Sequence, residues 1–162
     1  MNCVSSSTFK KDLLSSQKGE TQLANMFAER GYTVTTTQDK GKFSGYDLAV
    51  ERDGINITIE YKHDIKSELT GNWCCELWKD VNGEIRDSGL SATEADLYVQ
   101  KLGLIDENMY GIKVRDLRAY IDLNSRRLKF VKGGDGYRSQ LVLMPVEEFK
   151  SIATVLFKTP IN

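Results

Sequence analysis

Asp47, Glu60 and Lys62 are three charged residues that one short hairpin brings onto a single face. They lie within GYDLAVERDGINITIEYK, residues 45–62, where Asp53-Gly54 gives a strong signal for a two-residue turn. A two-residue turn fixes the register, so Arg52 faces Ile55 and Asp47 lies opposite Glu60. Opposed residues share a face, with Cβ atoms about 5 Å apart. Lys62 stands two residues beyond Glu60 and joins the same face. The other face carries Leu48, Val50, Ile55, Ile57, Ile59 and Tyr61 and is the one expected to be buried. Opposed carboxylates repel, and a hard, oxygen-seeking divalent cation such as Mg²⁺ would relieve that repulsion. A plain solvated polar face, shared with Asn56 and Thr58, is the other reading of the same residues.

A helix must stand before this hairpin. Apolar residues Phe9, Leu13, Leu23 or Ala24, and Phe27 recur at helical spacing, which predicts a helix over 7–30 that stops at Gly31. The stripe passes through Ser16 and Glu20. Glu20 is therefore expected on the inward side, where an unpaired carboxylate is unfavourable and calls for Lys, Arg or a metal. Bending out to solvent past Gly19 is the alternative. A helix docked near the polar edge of the hairpin would add Glu20 to Asp47, Glu60 and Lys62.

These residues resemble the PD-(D/E)XK nuclease superfamily: Glu20 on a first helix, then Asp47, then Glu60-Tyr61-Lys62. QKGETQLANMFAERGYTV is similar to the opening of archaeal-type Holliday-junction resolvases, and small phage and homing endonucleases use the same core. Tyr46 stands where the superfamily's name has Pro, a residue with no chemical role. The resemblance implies a restriction-endonuclease-like α/β fold with an αβββαβ core, a central mixed sheet and flanking helices. It implies Mg²⁺-dependent hydrolysis of DNA phosphodiesters, with Mn²⁺ able to substitute. Asp47, Glu60 and the Tyr61 carbonyl would hold the ion, and Glu20 would hold it through water or hold a second ion. Lys62 would orient or deprotonate the attacking water, since metal and base together generate hydroxide and neutralise the transition state. Lys62 as a salt-bridge partner of Glu60 is the simpler alternative.

The remaining sequence predicts further elements. Residues 32–37 read as a strand, 39–45 as a turn, and 46–52 with 55–62 as the hairpin. A second hairpin is expected about Asn82-Gly83. Ser91 with Glu94 forms a capping-box pattern that predicts a helix through Leu102. Strands at 109–114, 127–131 and 140–144, a short helix at 115–121, and a final helix from Pro145 to 157 complete the reading. One domain over 1–162 is expected, with a core over about 7–114 and an elaboration over 115–162.

Composition bounds the rest. Apolar residues make up 40% and charged residues 28% of 162, a soluble balance. No apolar run approaches the roughly 20 residues of a membrane span, and no secretory h-region opens the chain. An intracellular, cytoplasmic, DNA-associated setting is expected. Cys3, Cys74 and Cys75 form no metal-binding pattern. Net charge is −1, yet residues 113–138 hold eight bases against three acids. Arg126, Arg127, Lys129, Lys132 and Arg138 are the candidate DNA contacts, with a plain surface hairpin as the alternative. Duplex or branched DNA is the expected partner, and cutting two strands predicts a homodimer or higher oligomer. A nucleic-acid-binding module or subunit that keeps the fold without cutting is the second functional reading. Trp73 and Trp78 fit the core better than base stacking. His63, adjacent to Lys62, is expected to point away from the acids.

Overall fold

The computed structural model describes residues 6–38 and 45–158. The turn expected at 39–45 lies almost wholly outside them. Helix α1 (Ser6–Glu29) presents Leu23 and Phe27, one turn apart, to the sheet beneath it. It ends where Gly31 adopts φ 83°, and the Gly31 and Tyr32 amides return to Ala28 and Phe27. Only glycine enters that conformation without strain.

Strand β1 (Thr33–Thr36) pairs antiparallel with β2 (Leu48–Arg52), which turns into β3 (Ile55–Asp64). Leu48 faces Ile59 and Arg52 faces Ile55, the expected register. Asp53 and Gly54 both have positive φ, the backbone that a two-residue hairpin requires. The chain leaves the sheet through α2 (Ser67–Thr70) and forms the hairpin β4 (Asn72–Val81) and β5 (Glu84–Asp87) about Asn82-Gly83. It returns as β6 (Leu97–Leu102), parallel to β3, and β7 (Asn108–Lys113) follows antiparallel. Helix α3 (Val114–Leu123), β8 (Lys129–Gly133), β9 (Ser139–Pro145), α4 (Val146–Ile152) and β10 (Thr154–Lys158) complete the chain.

Two sheets result. The central one runs β1-β2-β3-β6-β7-β10 and mixes parallel with antiparallel pairing. The second runs β5-β4-β9-β8. One core lies between α1 and the central sheet, built on Leu23, Leu48, Val50, Ile59, Tyr61 and Val99. The other lies between the sheets, closed by α3 and α4, and holds Trp73, Tyr98, Leu117, Met144 and Phe149. The architecture is the expected α/β fold with a central mixed sheet and flanking helices.

Two expected helices are corrected. Residues 91–102 form a 3-10 turn at Gly89–Ser91 and then β6. The strand is buried on both faces, with Tyr98, Val99, Gln100 and Leu102 nearly inaccessible. Such a strand reads as an apolar run, which periodicity does not separate from a buried helix. The crossover from β3 to β6 is thus made by the second sheet, in place of the helix of an αβββαβ order. The final helix stops at Ile152, and β10 joins the edge of β7, as β-branched and aromatic residues in TVLFK favour. Residues after 114 are thereby built into both sheets. No helix among the described residues is long and apolar enough to cross a membrane.

The buried face of the hairpin is shorter than expected. Leu48, Val50, Ile59 and Tyr61 are covered, while Ile55 near the turn is exposed beyond the cover of α1.

Candidate active site

Asp47 ends the connection into β2. Its amide donates to the Ile59 carbonyl at 2.8 Å, and its carbonyl accepts from the Thr37 amide and hydroxyl, each at 3.0 Å. Its carboxylate Oδ2 accepts from the Tyr61 amide at 2.8 Å. The side chain therefore takes the place of a main-chain acceptor at the start of the ladder, which bends it toward β3. The expected face is assembled: Glu60 and Lys62 follow on alternate positions, and Lys62 Nζ pairs with Glu60 Oε1 at 2.6 Å. Glu60 is 8% exposed, so this part of the face is not solvated. Its other oxygen, Oε2, contacts the Thr93 hydroxyl at 3.1 Å.

The electrostatics of the pair are asymmetric. Burial, and next the Glu60 carboxylate, push the Asp47 carboxyl from 3.8 up to about 6; Lys62 and the Tyr61 amide oppose this without cancelling it. Burial alone would lower the Lys62 ammonium, but the Glu60 and Asp47 carboxylates outweigh it and hold it above the usual lysine range. Lys62 therefore sets a positive charge beside the two carboxylates.

Glu20 is half-buried on α1 and accepts from Gln38 Nε2 at 2.8 Å. Its charge adds to the rise at Asp47, so the helix does deliver it to the same neighbourhood. Tyr61 turns its ring to the opposite face, under α1, where its hydroxyl is buried without a hydrogen-bond partner among the described residues. Gly19 permits this approach: a Cβ there would sit 2.0 Å from Tyr61 Oη. Gly19→Ala is expected to destabilise the protein by about 1–3 kcal/mol despite alanine's better helix propensity, because the rigid ring must move. Tyr61→Phe, which removes that hydroxyl, is expected to be neutral or stabilising, and urea titration of both variants checks the two expectations.

The donor set suits a hard cation. Asp47 and Glu60 are oxygen ligands whose mutual repulsion a cation would relieve, and Mg²⁺ commonly takes one or two carboxylates and keeps waters elsewhere. Among the described residues, no three His, Cys, Asp or Glu side chains converge closely enough to ligate an ion by themselves. The remaining positions would fall to water and main-chain oxygen.

Other candidates are separated from this group. His63 points away, with Nε2 2.7 Å from the Gly103 carbonyl. Asp64 Oδ1 accepts from the Lys66 amide and shapes the turn into α2. Trp73 is core, stacked on Phe149. The Cys75 thiol, buried, is pushed up to about 12 and is a packing group. Of the basic candidates, Arg126, Lys129, Lys132 and Arg138 are exposed. Lys129 and Lys132 are an odd number of residues apart on β8 and face opposite sides of the sheet. Arg127 is held by both oxygens of Glu148 and by Asn124 Oδ1.

Thr93, Gln38 and Gln100 escaped the sequence reading. Thr93 lies inside the SATE stretch that mimics a capping box. Gln100 faces Lys62 across the parallel ladder and accepts from Trp73 Nε1 at 3.1 Å. Nothing local marks a buried glutamine in LYVQKL once the segment is read as a helix.

The class the fold defines is a mixed-sheet α/β fold whose hairpin presents paired carboxylates and a lysine. A solved structure shares the fold: a bacterial homing endonuclease, I-Ssp6803I, superposes with a TM-score of 0.53 over 83% of this chain and 79% of that one, at 19% identity. At this identity the likeness is one of fold. No protein-family model matches the sequence, and no curated protein matches it either.

Proposed function

We propose that this chain is a divalent-metal-dependent DNA endonuclease of the PD-(D/E)XK type. The observation that carries the reading is the convergence of Asp47, Glu60 and Lys62 on one hairpin face, with Asp47 raised to about 6 by burial and by Glu60. The shared fold with a homing endonuclease supports DNA as the substrate. Mg²⁺, when bound by Asp47 and Glu60, would supply charge neutralisation and a more acidic water. Lys62 would stay protonated, orient that water and stabilise charge on the phosphoryl oxygens. Glu20, steadied by Gln38, would hold water on the α1 side. Two copies would be needed to cut both strands.

The test is cleavage of linear duplex, supercoiled plasmid and a four-way junction, with Mg²⁺ and with EDTA. Mg²⁺-dependent cutting supports the reading, and the preferred substrate separates a site-specific enzyme from a junction resolvase. DNA bound and never cut would support the binding module. That second reading draws on one observation: both Glu60 oxygens are already engaged, by Lys62 and Thr93.

Two further results are expected. The native state holds the Asp47 proton more tightly than the unfolded chain does. In EDTA the Asp47 contribution to stability therefore falls as pH rises from about 4 to about 6. Urea titrations at pH 5 and pH 7 should show this difference in wild type and not in Asp47→Asn. Cleavage at limiting Mg²⁺ should rise through the same range. For the basic residues, Lys129→Ala and Lys132→Ala should each reduce the salt slope of DNA binding by about one if they meet phosphate. Arg127→Ala should lower stability and leave that slope unchanged, because Glu148 already occupies its guanidinium.

A further inference from the structure

The segment between the 3-10 turn and β6 carries one hydroxyl that touches both Glu60 on β3 and the connection that leads to Asp47. Thr93 is 5% exposed. Its Oγ1 lies 3.1 Å from Glu60 Oε2 and 3.1 Å from the Gly45 carbonyl, and it accepts from the Ala95 amide at 3.2 Å. Gly45 stands two residues before Asp47, and its carbonyl also accepts from the Glu94 amide at 2.8 Å. A single side chain thus bridges Glu60 to the approach to Asp47.

Arg118 on α3 fixes that bridge from behind. Its Nη2 donates to the Thr93 carbonyl at 2.8 Å and to the Leu90 carbonyl at 2.7 Å, and its Nε donates to Leu90 at 3.0 Å. The Thr93 amide donates to Gly89 at 3.0 Å. Thr58 and Asp96 lock the far end of the segment by reciprocal hydrogen bonds to main-chain amides. The threonine is held by its main chain, and its hydroxyl alone is left to rotate.

A hydroxyl has one proton, and here it has two acceptors at equal distance. Turned toward Glu60, it stabilises the carboxylate in its pair with Lys62. Turned toward Gly45, it frees a Glu60 lone pair and still has an acceptor. No buried donor is orphaned in either position, so Glu60 exchanges its hydrogen bond for a cation at little cost.

We propose that Thr93, clamped by Arg118, is a positioning residue that sets Glu60 against Asp47 and releases it to a divalent cation by rotating its hydroxyl to Gly45. The assignment rests on the nuclease reading above. Outer partners of metal ligands typically govern affinity or activity by about 10–100-fold.

The test compares wild type with Thr93→Ser, which keeps the hydroxyl, and Thr93→Val, which removes it at similar volume. Mn²⁺ binding to the protein without DNA is measured by calorimetry, and duplex cleavage is measured across a Mg²⁺ titration. Thr93→Val is expected to weaken Mn²⁺ binding by about 10–100-fold and to raise the Mg²⁺ needed for half-maximal cutting in proportion. The KM for DNA should stay near wild type, and Thr93→Ser should stay within about threefold throughout. If Thr93→Val melts below the assay temperature, Thr93→Ala is measured in its place. Wild type that binds Mn²⁺ and cuts, with the hydroxyl-free variant equal to it, overturns the assignment and leaves the nuclease reading standing. So does a Thr93→Ser loss as large as that of the hydroxyl-free variant, which would reduce Thr93 to packing. Wild type that neither binds Mn²⁺ nor cuts overturns both.

Discussion

Lys62→Ala is expected to lower duplex cleavage by at least about 100-fold, the range for loss of a positioned acid–base or charge-stabilising group. The ammonium sits 2.6 Å from a Glu60 carboxylate that is only 8% exposed. Its removal takes the positive charge from the face where, on the proposed reading, phosphate binds, and it leaves Glu60 opposite Asp47 with Thr93 as its remaining partner among the described residues. The two acids then repel more strongly, so Mg²⁺ should stabilise the variant against urea more than it stabilises wild type. That pairing of results is specific: lost cleavage together with gained metal stabilisation. Lys62→Ala that cuts as fast as wild type would place the chemistry elsewhere on the molecule. Lys62→Arg keeps the charge but changes its shape and donor geometry, and should recover only part of the rate.

Trp73→Ala is expected to destabilise the protein by about 3–5 kcal/mol, the range for removing a large buried aromatic. The indole is fully buried and stacked on Phe149, with centroids 4.9 Å apart and planes 4° apart. Its N–H also satisfies Gln100 Oε1, and an orphaned buried amide oxygen adds about 1–3 kcal/mol by itself. Trp73 joins β4 of the second sheet to β6 of the first, and Gln100 stands next to Lys62 across the ladder. The loss should therefore appear both as a lower urea midpoint and as slower cleavage. A change below about 1 kcal/mol would contradict the packing of the two sheets described above.

Much of the candidate site was legible because its geometry is local. Asp53-Gly54 sets a two-residue turn, the turn sets the register, and the register brings Asp47 beside Glu60 and Lys62 whatever the rest of the chain does. Glu20 was legible for a similar reason, since a helical stripe fixes which side a residue faces. What surrounds these residues was not legible. Residues 97–102 carry the same apolar content in a helix or in a strand buried on both faces, and only pairing with β3 decides between them. The strand β10 likewise depends on the exposed edge of β7.

By itself, then, the sequence determined the two hairpins, the first helix and the facing charges, all of which follow from contacts a few residues apart. The tertiary structure decided the rest. It placed a second sheet over the acid-bearing face, which buries Glu60 and raises Asp47. It brought Thr93 to Glu60 across 33 residues and Arg118 to Thr93 across 25. No local rule encodes those distances, because burial and long-range hydrogen bonds exist only after both layers have closed.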